Sequence, residues 1–232
     1  IVSKDGKVYA YPFSAYALGM AYNVDLFKKA GLMEADGTPK QPKDWNELAE
    51  FAVKIKEATG KPGFVFPTSN NYGGWMFMPI AWSYGVNFME KEDGKWKAKF
   101  DSQEAVDALQ YIKDLKWKYD VLPSNSLIDG TEYYKIFGTN EAGMLLSAAD
   151  ISGKLTSYEF DPKNLGMFAM PSGPKKHVTL LGGSLFAIAP SSTEAQIDAG
   201  MRWITYSGTT ELTDAVKEQM VKSIETDIAQ NK

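Results

Sequence analysis

Cysteine is absent from all 232 residues, which excludes disulfides, thiolate nucleophiles and thiolate zinc sites together. Histidine and arginine occur once each, as His177 and Arg202. His177 follows the polar turn 172–176 with no second imidazole nearby, so it reads as a solvated loop side chain rather than a base or a ligand. Nucleophilic triads and most metal sites therefore lack their usual parts, and no catalytic residue, metal or cofactor is expected. No run reaches the ~18 apolar residues of a membrane span; the longest is 75–82. A basic-then-apolar leader is missing too, and both ends, the Ile1-Val2-Ser3 opening included, read as cut points. Excess basic charge is also lacking: 25 Lys and Arg stand against 29 Asp and Glu, for a net −4. With the lysines scattered among acids, no nucleic-acid partner is expected.

What is present is a globular composition, 44% hydrophobic and 23% charged. That is too apolar for disorder and enough to core one large domain or two modest ones. Asp5-Gly6 signals a hairpin turn before a strand over 7–11, and the apolar run 18–22 reads as a strand buried on both faces. A short helix over 25–30 stops at Gly31. Asp44 and Glu47 have capping-box spacing before a helix burying Trp45, Leu48, Phe51, Ala52 and Ile55, closed by Gly60. Asp101 and Glu104 repeat that spacing before a helix expected to turn Val106, Leu109, Ile112, Leu115 and Tyr119 inward. Asp93-Gly94 joins two strands, 87–91 and 95–100. Further strands are read at 64–66, 142–147, 165–170 and 180–189, and further helices at 75–84, 131–137, 191–207 and 210–230. This alternation implies α/β layers with a largely parallel sheet. Residues 171–176 are the candidate domain boundary. Trp45, Trp117, Tyr119 and Trp203 fall on helical faces and read as core; Trp82 and Tyr84 fit either core or a cleft border.

Four segments, in this order, resemble the maltose-binding-protein group, the family 1 extracellular solute-binding proteins. Residues 5–12 with 17–23 and Asp25-Leu26-Phe27 look like the family's "DGK-x-Y-x-x-P … YN-x-D-L-F" run. Residues 42–48 match "P-x-T-W-x-E-L", with Asp44 for the usual Thr. Residues 137–144 resemble "F-x-x-G-x-x-A-M", shifted by one and with Asn140 where Gly is common. Residues 180–190 resemble "x-x-x-GG-x-x-x-A-I-x-x-x-S". The resemblance implies a periplasmic-binding-protein-like type II α/β fold, here one nearly complete lobe plus a fragment of the other. Residues 1–16 would end a first-lobe segment and cross over, 17–170 would build the second lobe, and 171–232 would return to the first. It further implies an extracytoplasmic carbohydrate receptor, binding an oligosaccharide, that closes about a hinge and serves the membrane subunits of an ABC importer. Such a receptor is monomeric at full length and sits in the periplasm or on the outer cell surface, lipid-anchored through an N-terminal region outside this chain. With much of one lobe missing, residues 1–232 alone are expected to bind weakly or not at all.

A sugar offers hydroxyls for hydrogen bonding and C–H patches that lie flat on aromatic faces. The segment Asn70-Asn71-Tyr72-Gly73-Gly74-Trp75 supplies both kinds of partner: amides that donate and accept at once, and two stacking rings. Its rival reading is an exposed turn with Trp75 packed inward. The matched segments add Tyr16 in the crossover, against a hinge-packing role. They add Asp150 in the turn where many relatives present a stacking Trp that is absent here, against a plain turn residue. They also add Gly182, Gly183 and Ser184 on the return strand, whose glycines close strand packing would equally require. All these side chains are expected to converge at a seam between the two parts of the fold. A glycoside hydrolase would need two facing carboxylates, and only Asp150 lies in a candidate segment. A phosphorylated ligand would call for Arg or Lys at the cleft, whereas Arg202 lies far from it in sequence. A surface-adhesion module is a weaker third alternative.

Overall fold

A computed structural model describes residues 3–4, 6–208 and 214–229. In chain order its elements are β1 (Ser3–Lys4), β2 (Lys7–Val8), β3 (Tyr11–Ala17), β4 (Gly19–Asn23), α1 (Val24–Lys29), α2 (Trp45–Thr59), α3 (Tyr72–Tyr84), β5 (Met89–Glu92), β6 (Lys95–Ala98), α4 (Gln103–Trp117), α5 (Gly130–Gly138), β7 (Met144–Ser147), α6 (Ile151–Leu155), β8 (Leu165–Phe168), β9 (Leu181–Phe186), α7 (Glu194–Gly208) and α8 (Asp214–Ala229). The chain divides into two units, residues 17–180 and residues 1–16 with 181–232.

In the 17–180 unit, β4 is the middle strand of a three-stranded sheet in the order β7-β4-β8. It pairs antiparallel with both neighbours, Ala21 facing Leu145 on one side and Met167 on the other. The expected largely parallel sheet is thereby corrected: this sheet is antiparallel throughout, and the isolated bridges of Phe64 with Met144 and Asp44 with Ser172 are parallel. Strand direction follows from long-range pairing, which local periodicity does not encode. Met20 and Ala21 on β4 and Met144, Leu145 and Leu146 on β7 are fully buried, as a sheet covered on both faces requires. Trp45, Phe27, Phe64, Tyr133 and Phe137 complete the core, each large apolar side chain contributing about 1.5–3 kcal/mol by leaving water.

The helix ends follow local chemistry. Asp44 accepts from the backbone amides of Asn46 and Glu47, and the Glu47 carboxylate reaches back to the amide of Lys43, one residue before the cap. Gly60 closes α2 in the left-handed conformation. On α4 the cap is Ser102, whose hydroxyl accepts from Ala105 N, and not Asp101. Its buried residues are Ala105, Ala108, Tyr111 and Leu115, while Val106 and Leu109 are exposed. Trp117 is 75% exposed, against the expected core position. Residues 171–180, expected to open the return segment, are tied into the 17–180 unit. Ser172 N donates to Lys43 O, Lys175 and Lys176 N to Ser83 O, and Thr179 Oγ1 to Leu18 O.

In the other unit, β1 pairs antiparallel with β2, Ser3 opposite Val8 and Lys4 opposite Lys7. Asp5, expected in that turn, lies outside the described residues. β3 pairs with β9. Trp203 on α7 meets the Phe186 ring edge-on at 5.0 Å but stays 57% exposed, again not the expected core position. Of the expected 210–230 helix, positions 210–213 and 230 lie outside the described residues.

Candidate functional site

The segment before α3 is bent by two consecutive residues in the left-handed region, Asn70 (φ 53°) and Asn71 (φ 59°), a conformation asparagine tolerates better than most residues. Thr68 N and Ser69 N both donate to Ile128 O, fixing this turn against the chain that leads into α5. Gly73 allows the close turn, since a Cβ there would stand 2.7 Å from the Pro67 carbonyl oxygen. Tyr72 thus starts α3 with its ring over Gly130, where an added Cβ would touch the ring at 3.2 Å.

The half-buried Tyr72 ring meets Tyr133 and Tyr134 edge-on, at 6.0 and 6.5 Å, and lies 5.7 Å from Trp75. Its hydroxyl donates to Tyr134 Oη at 3.1 Å. Burial first, and then that hydrogen bond, hold the Tyr72 phenol well above its ordinary range, so it is a neutral hydroxyl at any physiological pH. Lys154 on α6 donates to Tyr134 Oη at 3.2 Å, lies 4.6 Å from the centre of that ring, and pairs with Asp150 at 3.0 Å. The contact with the ring face is a cation–π arrangement. Asn70, Tyr72, Asp129, Tyr134, Lys154 and Tyr158 surround an open hollow of about 430 Å³.

Of the sequence-derived candidates, Asn70 and Tyr72 line this hollow. Asp150 reaches its edge through Lys154. Asn71 is exposed and precedes α3 without a side-chain cap, and Trp75 is half-buried behind Tyr72. In the other unit, Tyr16 is 39% exposed and its ring lies where a Gly182 side chain would project. Gly183 faces the Ser14 carbonyl just as closely, and Ser184 N donates to Ser14 Oγ at 3.2 Å. Close strand packing therefore accounts for both glycines. Trp82 and Tyr84 are half-buried; Trp82 packs against Phe88 and Tyr84 against Tyr111.

Sequence reasoning missed Tyr134, Lys154, Asp129 and Tyr158. Two signals were present. Asp150 and Lys154 stand four apart, the spacing of a helical ion pair. Asp129 precedes Glu132 at the spacing of a helix cap, and it accepts from Thr131 N and Glu132 N.

Edge-on rings and paired donors and acceptors around a surface hollow form the chemistry of small-molecule recognition. The chain belongs to the bacterial extracellular solute-binding protein family, whose sequence profile matches residues 2–212. A binding protein of Brucella abortus (strain 2308) is 29% identical over 171 residues, 73% of this chain and 39% of that protein. The sn-glycerol-3-phosphate-binding periplasmic protein UgpB of Escherichia coli (strain K12) is 36% identical over 107 residues, 45% of this chain and 21% of that protein. Among solved structures, maltose-bound MalE3 of T. maritima superposes with a TM-score of 0.73 at 28% identity, covering 88% of this chain and 51% of that one. The fold is thus the type II periplasmic-binding-protein architecture, and the chain spans about two fifths of the length of the first of these relatives.

Proposed function

We propose that this chain is part of a carbohydrate receptor that binds an oligosaccharide outside the cytoplasmic membrane and hands it to an ABC importer without chemical change. The observation that carries the reading is the Tyr72 hollow, where aromatic faces stand beside an amide, a phenol and an ammonium. That is the pairing of C–H platforms and hydrogen-bonding groups a sugar needs. Family membership and the likeness to a maltose-bound receptor support it. The receptor closes on its ligand about a hinge, because a ligand with contacts on both lobes favours the closed state by that differential affinity. Tyr16 and Ser184 would supply the first-lobe contacts. Asn70, Asn71, Tyr72, Trp75 and Asp150 would supply those of the second. The receptor acts as a monomer, lipid-anchored at the periplasmic or outer cell surface.

A second reading, a glycerol phosphate ligand, is favoured by the 36% identity to UgpB over 107 residues. A glycan array probed with the protein as its host encodes it, followed by calorimetry on the hits, tests the proposal. Saturable binding of an oligosaccharide without release of reducing ends is expected. Sustained turnover would point to a hydrolase, and binding of sn-glycerol 3-phosphate alone to the second reading.

A further inference from the structure

The choice between a neutral and a phosphorylated ligand turns on Lys154, the one cation lining the hollow among the described residues. An ammonium has three N–H donors. One is directed to Tyr134 Oη at 3.2 Å and another to Asp150 at 3.0 Å. The ammonium also rests on the Tyr134 ring, 4.6 Å from its centre. The side chains of Lys154 and Asp150 are 40% and 61% exposed, so both reach solvent at the rim. A donor and an acceptor thus stand side by side at the rim, at about the spacing of two neighbouring hydroxyl oxygens on a sugar ring. One hydroxyl accepts from Nζ while its neighbour donates to the carboxylate.

The surroundings disfavour an anion. Asp150 already neutralises Lys154, and a second carboxylate, Asp129, lines the same hollow. The first-turn amides of α5 would be the natural phosphate cradle, yet Asp129 occupies them by accepting from Thr131 N and Glu132 N at 2.9 Å each. A phosphate here would meet one cation and two carboxylates, with the Thr131 and Glu132 amides taken. Like charge at this range works against binding, whereas an uncharged polyol needs only the donor and the acceptor.

We propose that Lys154 and Asp150, set beside the Tyr134 ring, form a diol-recognition subsite on the 17–180 unit that takes an uncharged polyhydroxylated ligand and discriminates against a phosphorylated one. The inference rests on the receptor reading above and deepens it by naming the ligand class and two residues that select it.

The test titrates the protein as its host encodes it with maltose, D-tagatose, D-mannitol, chitin oligosaccharides and sn-glycerol 3-phosphate. The tightest response should come from an uncharged probe. Lys154→Met should weaken that probe roughly 10-fold or more, the worth of a hydrogen bond to a charged group. Asp150→Asn should weaken it too while improving the phosphate probe relative to wild type, a change of preference that a merely structural role would not produce. Both side chains are exposed enough for the variants to keep the wild-type melting temperature. If Lys154→Met binds within twofold of wild type while Tyr72→Ala loses binding, the subsite is wrong and the receptor reading stands. Tighter binding of the phosphate probe than of every neutral one has the same consequence. No binding of any probe by the wild type overturns both.

Discussion

Asn140 combines a left-handed backbone with a partly buried hydrogen bond, and replacing it has two separable consequences. Its backbone is left-handed at φ 61°, just beyond the end of α5. Its side-chain oxygen accepts from Asn23 Nδ2 at 2.7 Å. Asn23 is fully buried, and its own side-chain oxygen caps α1 by accepting from Leu26 N at 3.0 Å. Asn140→Gly keeps the backbone conformation but leaves a buried amide without its acceptor, a loss of about 1–3 kcal/mol that glycine's ease in the left-handed region partly offsets. Asn140→Ala loses the same bond and adds about 1–2 kcal/mol of left-handed strain. The expected losses are about 1–2 kcal/mol for Gly and about 2–5 kcal/mol for Ala, and at this chain length each kcal/mol lowers the melting temperature by roughly 2–4 °C. Urea unfolding followed by far-ultraviolet circular dichroism measures the order. An Ala variant no worse than Gly would refute the strain argument, and a Gly variant as stable as wild type would refute the hydrogen-bond argument.

Trp45→Ala should cost about 3–5 kcal/mol, because the ring is 2% exposed and its Nε1 donates to Ser83 Oγ at 2.8 Å. Trp117→Ala, on a side chain 75% exposed, should stay within about 0.5 kcal/mol; comparable urea midpoints for the two would contradict the burial pattern. The Tyr84 phenol is pushed from 10.0 up to about 12, by burial first and then by the carboxylates of Asp107, Asp114 and Asp44. Because the folded state holds this proton more tightly, the associated stability is fully present below pH 10 and is lost as pH rises through about 12. Tyr84→Phe should flatten the alkaline limb of a melting-temperature profile, and an unchanged limb would count against it. Tyr111 and Tyr133 are shifted in the same direction by burial, so the limb should be flattened without disappearing.

Features set by neighbouring residues were legible in the sequence. Asp44 capping α2, Gly60 ending it and the Asp93-Gly94 hairpin all depend on a few consecutive side chains. Features set by distant partners were not. The spacing of Val106, Leu109, Ile112, Leu115 and Tyr119 is a sound helical stripe, yet of these α4 fully buries only Leu115, exposes Val106 and Leu109, and buries Ala105 and Ala108 as well, and its contact with α3 explains why. Small residues let two helix axes approach closely, and the hydroxyl of Tyr111 on the same face donates to the Trp45 carbonyl at 2.7 Å. The site divides along the same line. Asn70 and Tyr72 share one local turn and could be read together, whereas the Tyr72, Tyr134 and Lys154 cluster draws on α3, α5 and α6, which only the fold assembles.

The position of Tyr134 at the hollow follows from its neighbour. Consecutive residues of a helix point about 100° apart, and consecutive residues of a strand point to opposite faces. Tyr133, fully buried, donates from its hydroxyl to Leu146 O at 2.6 Å, while Tyr134 Oη lies 3.5 Å from Ser147 Oγ. Two successive residues of α5 are thus matched to two successive residues of β7, so α5 cannot rotate or slide by a residue without breaking both contacts. Asp129 fixes the start of the helix through its cap, and Phe137 anchors the far end by stacking on Phe160 at 5.5 Å. The Tyr134 hydroxyl accepts from Tyr72 and Lys154 in a position that the core has already set. The aromatic floor of the hollow is therefore set by the core contacts of α5 rather than by the residues at its rim.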